Sequence, residues 1–464
     1  MASQKENCRV FTPSKIVTQM LDLLGYAENL HGEKILENSC GEGAFLVEIV
    51  RRYINDCRRQ GIANDDIREG LERDIWGYEI DESHAAHCIT KLNAIAEENG
   101  ILSVRWNIII DDVLKANIDA RFCFAVGNPP YITYSALKEE TRSYIKENFQ
   151  VCAAGKPDYY YAFIESALCH LNEVGKLVYL IPNNFFKTKF ADKLRQFLLP
   201  MLTDIYDYTQ KKLFLGALTS STIIICDRAA NAETIQYHDV LNGKTYQISK
   251  ACMRHRWILP IDSQNSGVIG KRRFGDCFSA ASTVATLYNE AFLVKQPDDE
   301  ALGEIVMRPA VSVKSLTKNK KEHIIFPYTF NDGKLVHFSE EAFITRFPYA
   351  ATHLEKHRRK LDERDKDETA LWFEYGRSQA IAHMNQKKLL ISTLITGKVK
   401  VYELDENTIP YTGIYIVPKS NMPLSLAKKI LESESFLSYI NQVGIYANGT
   451  SMRISISDVK DYLF

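Results

Sequence analysis

The chain has 464 residues, 45% of them hydrophobic and 25% charged, with a formal net charge of −1. Such a chain buries a sizeable core and is expected to form two or three domains; its near-neutral balance excludes a globally basic nucleic-acid binder, so any such surface must be local. No apolar stretch approaches membrane-spanning length, and the ten cysteines show neither CxxC pairs nor metal spacing, which leaves free thiols rather than a disulfide framework or a metal centre.

The first half alternates between strand and helix patterns. "KILENSC" reads as a strand and "GAFLVEIVRRYINDCRRQ" as a helix. "DIWGYEI" is a second strand, and "SHAAHCITKLNAIAEE" its helix. "VRWNIIIDDVL" and "RFCFAVGN" are further strands, followed by the helical "DYYYAFIESALCHL". "GKLVYLIPNNFF", the helical "KFADKLRQFLL" and "STIIICDR" complete the series. This alternation predicts an α/β fold on a mostly parallel sheet, with binding residues at the carboxyl ends of its strands. After about residue 230 short apolar runs such as "HIIFPY" and "TGIYIVP" stand between Lys- and Gly-rich pieces. A separate mixed α+β domain is expected there, so the boundaries are placed at 1–235 and 236–464. The mixed-sign run "LEKHRRKLDERDKDET" reads as a solvated helical or extended face.

Three strand ends carry acids. In "LENSCGEGAFL", Glu37 precedes a turn with Gly41 and Gly43, where glycine lets the backbone bend sharply and a ligand approach. The third glycine of a dinucleotide fingerprint is replaced by Leu46, and no Lys-Ser/Thr pair is present for a nucleotide phosphate. Glu79 closes the second strand, suited to ribose hydroxyls; Asp111 and Asp112 close the third, suited to an adenine amino group. Each acid alone is more often a loop-solvating residue. Together they describe a pocket for a nucleoside without phosphate, and S-adenosylmethionine has that chemistry.

"FAVGNPPYIT" follows. The alternating Phe122, Phe124 and Val126 end at Pro129 and Pro130, which fix φ and remove two backbone donors. That stiff corner presents one amide, Asn128, and one ring, Tyr131. The Asn128 side-chain carbonyl and the Pro129 carbonyl can accept both hydrogens of an exocyclic amine and aim its lone pair at a methyl donor. Tyr131 can stack on a base taken out of the duplex.

These motifs resemble the gamma-class DNA adenine-N6 methyltransferases of restriction–modification systems, and the resemblance runs along most of the chain. It implies a Rossmann-like methyltransferase fold followed by a target-recognition domain, with S-adenosylmethionine as cofactor. By the same resemblance "FTPSKIV" supplies Thr12 and Pro13 beside the cofactor's methionine end. Glu37, Cys40, Gly41 and Gly43 form its loop, Glu79 and Ile80 meet the ribose, Asp112 and Val113 the adenine, and Phe163 covers it. "GNPPY" supplies Asn128, Pro129, Pro130 and Tyr131 as the catalytic motif, and Phe214 falls where the family stacks an aromatic on the flipped base. Asn38 stands where the family usually has proline. In the second half "STVATLYNEAFLV", "IVMRPAVSVKSL" and "WFEYGRSQ" match recurrent recognition-domain elements, with Arg308, Lys314 and Arg377, and also Lys318, Lys320 and Lys321, as candidates for DNA contacts.

The implied partners are double-stranded DNA and a separate restriction endonuclease, with no membrane. The implied location is the cytoplasm of a bacterial or archaeal cell, associated with the nucleoid. Because the cofactor motif begins at residue 11, no nuclease domain is expected ahead of it. Cytosine-N4 methylation uses the same geometry. Methyltransferases of RNA bases and of a protein glutamine share the Asn-Pro-Pro-Tyr motif, and a catalytically silent DNA-binding subunit is the reading from another class.

Overall fold

Residues 12–209, 221–253, 256–259, 272–419, 422–448 and 451–464 are described by the structure, a computed structural model. The chain divides into two compact units, Met1–Ser263 and Gln264–Phe464.

In the first unit apolar spacing becomes helix α1 (Ser14–Leu24), which buries Ile16, Val17, Met20, Leu21 and Leu24 and stops at Gly25 with φ 77°. Strand β1 (Ile35–Glu37) and helices α2 (Ala44–Arg59) and α3 (Asn64–Asp74) follow, then β2 (Ile75–Glu79) and α4 (Glu82–Glu98). The Asp81 carboxylate caps α4 by accepting the N–H groups of Ser83 and His84. Next come β3 (Asn107–Ile110), β4 (Phe122–Gly127), α5 (Glu139–Asn148), α6 (Tyr160–His170) and β5 (Leu171–Pro182). Helix α7 (Asp192–Leu198), β6 (Leu202–Asp207), β7 (Ser221–Asp227), β8 (Thr234–Asp239) and β9 (Lys244–Ser249) complete the unit.

Among the described residues these strands form one nine-stranded sheet in the order β3-β2-β1-β4-β5-β7-β6-β8-β9. Pairing is parallel from β3 through β5 and antiparallel between β5 and β7. Strand β1 therefore has β2 on one side and β4 on the other, which makes its carboxyl end the topological switch point where α/β sheets bind ligands.

Successive strand residues feed opposite faces, as the pleat requires. Leu36, Ala125 and Leu177 join one core with Ile145, Phe163 and Leu194. Ile35, Val126 and Val178 join the other with Met20, Leu46, Ile49 and Cys88. Both faces are thus covered by helices, the arrangement the alternating sequence predicts.

The division falls later than the 235/236 boundary expected from sequence. Strand β8 pairs parallel with β6 and antiparallel with β9, so both extend the first sheet. The second unit is a mixed α+β assembly. One antiparallel sheet orders Phe278–Ser282, Ile414–Pro418, Lys388–Ile391 and Val401–Leu404; a second orders Leu293–Val294, Glu322–Ile325, Met307–Val311 and Ile409–Pro410. The charge-rich run starts at the end of the helix Pro348–Glu355 and forms the short helix Arg358–Asp362, with Arg358 paired to Asp362 at 2.9 Å and lying 4.2 Å from the Trp372 ring centre.

Candidate active site

Glu37 ends β1, and the turn into α2 needs left-handed backbone at Gly41 (φ 52°) and Gly43 (φ 83°). Glu79, at the end of β2, clamps this turn. Its carboxylate accepts the Gly41 N–H and the Asp81 N–H, each at 2.9 Å, which leaves further lone pairs on both oxygens. Cys40 donates its N–H to the Tyr78 carbonyl at 2.9 Å. Ile80, next in the chain, is 71% exposed, unusual for so apolar a residue.

The end of β3 lies beside this clamp. Asp111 N–H donates to the Glu79 carbonyl at 3.1 Å, and its carboxylate accepts the Asp112 N–H at 2.7 Å. Asp112 Oδ1 accepts the Leu114 N–H at 3.2 Å, and Lys115 Nζ stands 3.8 Å from Asp112 Oδ2. Val113 is buried.

On the other side β4 delivers the Asn-Pro-Pro-Tyr corner. Asn128 donates from Nδ2 to Thr12 Oγ1 at 3.2 Å, tying the corner to the residue ahead of α1. Pro13 caps that helix, its carbonyl accepting Ile16 and Val17 N–H groups. Pro129 is buried, and the Pro130 carbonyl accepts the Ile132 N–H at 3.1 Å. The Tyr131 hydroxyl donates to the Leu180 carbonyl at 3.0 Å, and burial raises its phenol above the ordinary range. Gly127 brings the two strand ends close: a Cβ there would lie 3.8 Å from Glu37 Cγ.

Three buried side-chain atoms at this junction have no hydrogen-bond partner among the described residues: Glu37 Oε2, Ser39 Oγ and Asn128 Oδ1. Buried polar atoms are ordinarily paired. Three orphans at adjoining strand ends mark a surface built to meet something polar. Glu37 is only 3% exposed. Burial pushes its carboxyl well up, with Cys88 and Glu79 adding to the rise and the Leu46 N–H opposing it. A cation placed beside this carboxyl would act in the opposite direction and lower its pKa.

Asn38 locks the base of the turn. It is buried, donates to the Phe163 carbonyl at 3.0 Å and accepts the Tyr179 hydroxyl, so β1, α6 and β5 are joined by one amide. Phe163 packs edge-on against Tyr159 at 5.1 Å. The structure thus brings Thr12, Pro13, Glu37, Cys40, Gly41, Gly43, Glu79, Ile80, Asp112, Val113, Phe163 and the corner to the ends of neighbouring strands. Phe214 lies outside the described residues. Sequence reasoning passed over Asn38 as a positive feature, and over Ser39. Their signal was adjacency to Glu37.

The expected DNA-contact residues belong to the second unit. The Arg308 guanidinium lies 4.6 Å from the Phe326 ring centre, with Nη1 unpartnered among the described residues and its pKa lowered by burial. Lys314 is exposed on the short helix Val313–Thr317. Arg377 is held by Asp365 at 2.8 Å and Asp367 at 3.2 Å, so its charge is already matched.

Residues 48–214 match the family of Eco57I restriction-modification methylases. The chain is 24% identical to the Type II methyltransferase M.BstVI of Geobacillus stearothermophilus, over 96% of this chain and 86% of that protein. It is 28% identical to the Type II methyltransferase M.PaeR7I of Pseudomonas aeruginosa, over 43% of this chain and 36% of that protein. The fold is similar to that of the Type IIL restriction-modification enzyme MmeI, solved in complex with DNA, with a TM-score of 0.63 and 17% identity over 97% of this chain and 64% of that chain. The chain therefore spans most of the first relative's length, but less than two thirds of the other two. The matched segment carries β2 through β6 and the Asn-Pro-Pro-Tyr corner, and over residues 48–214 the chain is similar to the Eco57I restriction-modification methylases.

Proposed function

We propose that the chain is a site-specific DNA methyltransferase that transfers a methyl group from S-adenosylmethionine to the N6 amino group of an adenine turned out of the duplex. The observation that carries this reading is Asn128: a half-buried amide on a rigid corner whose buried carbonyl oxygen lacks a partner among the described residues, as does Oε2 of Glu37 at the adjoining strand end.

The residues fit the cofactor. A cationic, phosphate-free nucleoside suits a pocket of carboxylates, where a phosphate would be repelled. Glu37 offers a buried acid to a cationic end, Glu79 keeps lone pairs for ribose hydroxyls, and the exposed Ile80 and buried Phe163 offer apolar surface to a purine. When bound, S-adenosylmethionine supplies an electrophilic methyl group on a sulfonium.

Asn128 Oδ1 accepts one hydrogen of the adenine amine and the Pro129 carbonyl the other. Drawn off the ring, the nitrogen lone pair points along the line of attack, and most of the rate comes from this positioning and charge stabilisation. The amine held by Asn128 and Pro129 would take the methyl group that the cofactor supplies, the cofactor sulfur leaving as a neutral thioether, and would release its surplus proton to water. Tyr131, pinned by its hydroxyl to Leu180, offers its ring to the base. Methyl transfer from labelled S-adenosylmethionine into duplex DNA tests the reading: the label is expected in N6-methyladenine, and label in N4-methylcytosine or in no base overturns it.

Glu79→Ala should weaken cofactor binding by on the order of 1.5–3 kcal/mol, the worth of a hydrogen bond to a charged acceptor. The Gly41 and Asp81 amides lose their acceptor at the same time. Titration calorimetry checks this, and unchanged affinity would place the ribose elsewhere.

The second unit, in this reading, selects the sequence methylated. Lys314, Lys318, Lys320 and Lys321 are exposed and close in sequence, suited to backbone phosphates. Replacing all four by Ala should flatten the slope of log affinity against log salt by up to about 3–4. An unchanged slope would remove these lysines from the interface.

A further inference from the structure

The chemistry above does not use the half-buried carboxyl of Asp158. Asp158 stands just ahead of α6, and burial raises its pKa against two donors that lower it, the Asn184 side chain and the Tyr134 N–H. Asn184 Nδ2 donates to Asp158 Oδ2 at 3.3 Å, and Asn184 Oδ1 accepts the Tyr160 hydroxyl at 3.0 Å. Tyr160 is 1% exposed and sets its ring against Tyr131, centroids 6.2 Å apart and planes at 66°. A second tether lies alongside, where the Tyr159 N–H donates to the Ile132 carbonyl at 2.9 Å.

The route is closed. It leaves the loop just past the corner at Tyr134, crosses Asp158 and the exit of β5 at Asn184, and returns through Tyr160 to the ring of the corner's own tyrosine. A tyrosine has two soft side-chain torsions. Leu180 holds the end of the Tyr131 ring and Ser221 lies against its hydroxyl, but contacts at the hydroxyl alone still let the ring swing about that anchor. The edge of Tyr160 blocks that swing, and Tyr160 is itself held by Asn184 and Asp158.

We propose that Asp158 is a positioning residue which, through Asn184 and Tyr160, fixes the plane in which Tyr131 meets the target base. This rests on the adenine-methyltransferase reading above. Asp158 acts here as a hydrogen-bond acceptor, so a neutral carbonyl in its place preserves the function.

The test uses the full chain with duplex DNA, measuring single-turnover methyl transfer, cofactor affinity, and the fluorescence of 2-aminopurine at the target position. Asp158→Ala is expected to slow transfer roughly 10- to 100-fold, the scale of an ångström-size misplacement. Cofactor affinity should stay within about twofold, because a group acting on base placement changes the rate rather than cofactor binding. Asp158→Asn keeps an acceptor for Asn184 and should restore most of the rate. Tyr160→Phe keeps the ring but removes the hydroxyl's bond to Asn184 and its contact with the Tyr161 hydroxyl, and should fall between, with an altered 2-aminopurine signal.

Transfer by Asp158→Ala at the wild-type rate would overturn the proposal. So would Asp158→Asn as slow as Asp158→Ala, which would make charge the operative property, or cofactor affinity falling in step with rate. A wild-type chain that methylates no DNA overturns the methyltransferase reading and this proposal with it; wild-type activity that Asp158→Ala leaves untouched overturns this proposal alone.

Discussion

Asn128→Ala is expected to slow methyl transfer by about 100- to 1000-fold, the cost of removing one preorganised group aimed at developing charge. The Asn128 carbonyl oxygen is buried without a partner among the described residues, so in the proposed reaction its hydrogen bond is made mainly with the reacting amine. An interaction of that kind lowers kcat and leaves binding largely intact. Cofactor affinity should change little, because the amide's one observed bond runs from Nδ2 to Thr12. Asn128→Asp makes the comparison sharper. Aspartate keeps an acceptor at the same place, and the Thr12 hydroxyl can turn to donate to it. That variant should retain far more activity than the alanine. Rapid-quench measurement of a single turnover decides the matter, and an alanine variant slowed only a few-fold would remove Asn128 from the reaction.

Gly43→Ala is expected to unsettle the cofactor turn by about 2–5 kcal/mol, combining left-handed backbone strain with overpacking. Gly43 has φ 83°, and a Cβ there would sit 2.5 Å from the Cys88 sulfur. Cys88 is fully buried on α4, so it cannot swing aside into solvent. Chemical denaturation should show the loss, and calorimetry a weakened cofactor site. Adding Cys88→Ala removes the sulfur and leaves its Cβ at 3.4 Å, so the double variant should recover the overpacking part alone. A single variant as stable as the wild type would mean that the turn differs from the one described.

Much of this architecture was legible because strand ends in a parallel sheet announce themselves. β4 stops at two prolines and β1 at a glycine turn, and each carries its polar residue at the stop. The later domain boundary was not legible for an equally physical reason. β9 shows mostly exposed residues and β8 mostly half-buried ones; "TIQYHD" and "KTYQIS" are polar enough to resemble the loops of the following unit. Helix α3 is similarly disguised, burying only Ile67, Gly70, Leu71 and Asp74 amid charged residues. The roles given to Asn38 and Asp158 depend on bonds to Phe163, Tyr179 and Asn184, from 26 to 141 residues away. No local pattern carries such information. Arg377 shows the converse: it read as a candidate for DNA contact, and the fold pairs it with two aspartates.

The most direct measurement is to express the chain in cells without adenine methylation of their own and sequence their DNA with modified-base detection. The account predicts N6-methyladenine at one defined sequence motif, with the Asn128→Ala chain leaving the same genome unmodified. A genome carrying only modified cytosine, or one left unmodified by a folded wild-type chain that binds S-adenosylmethionine, would contradict it.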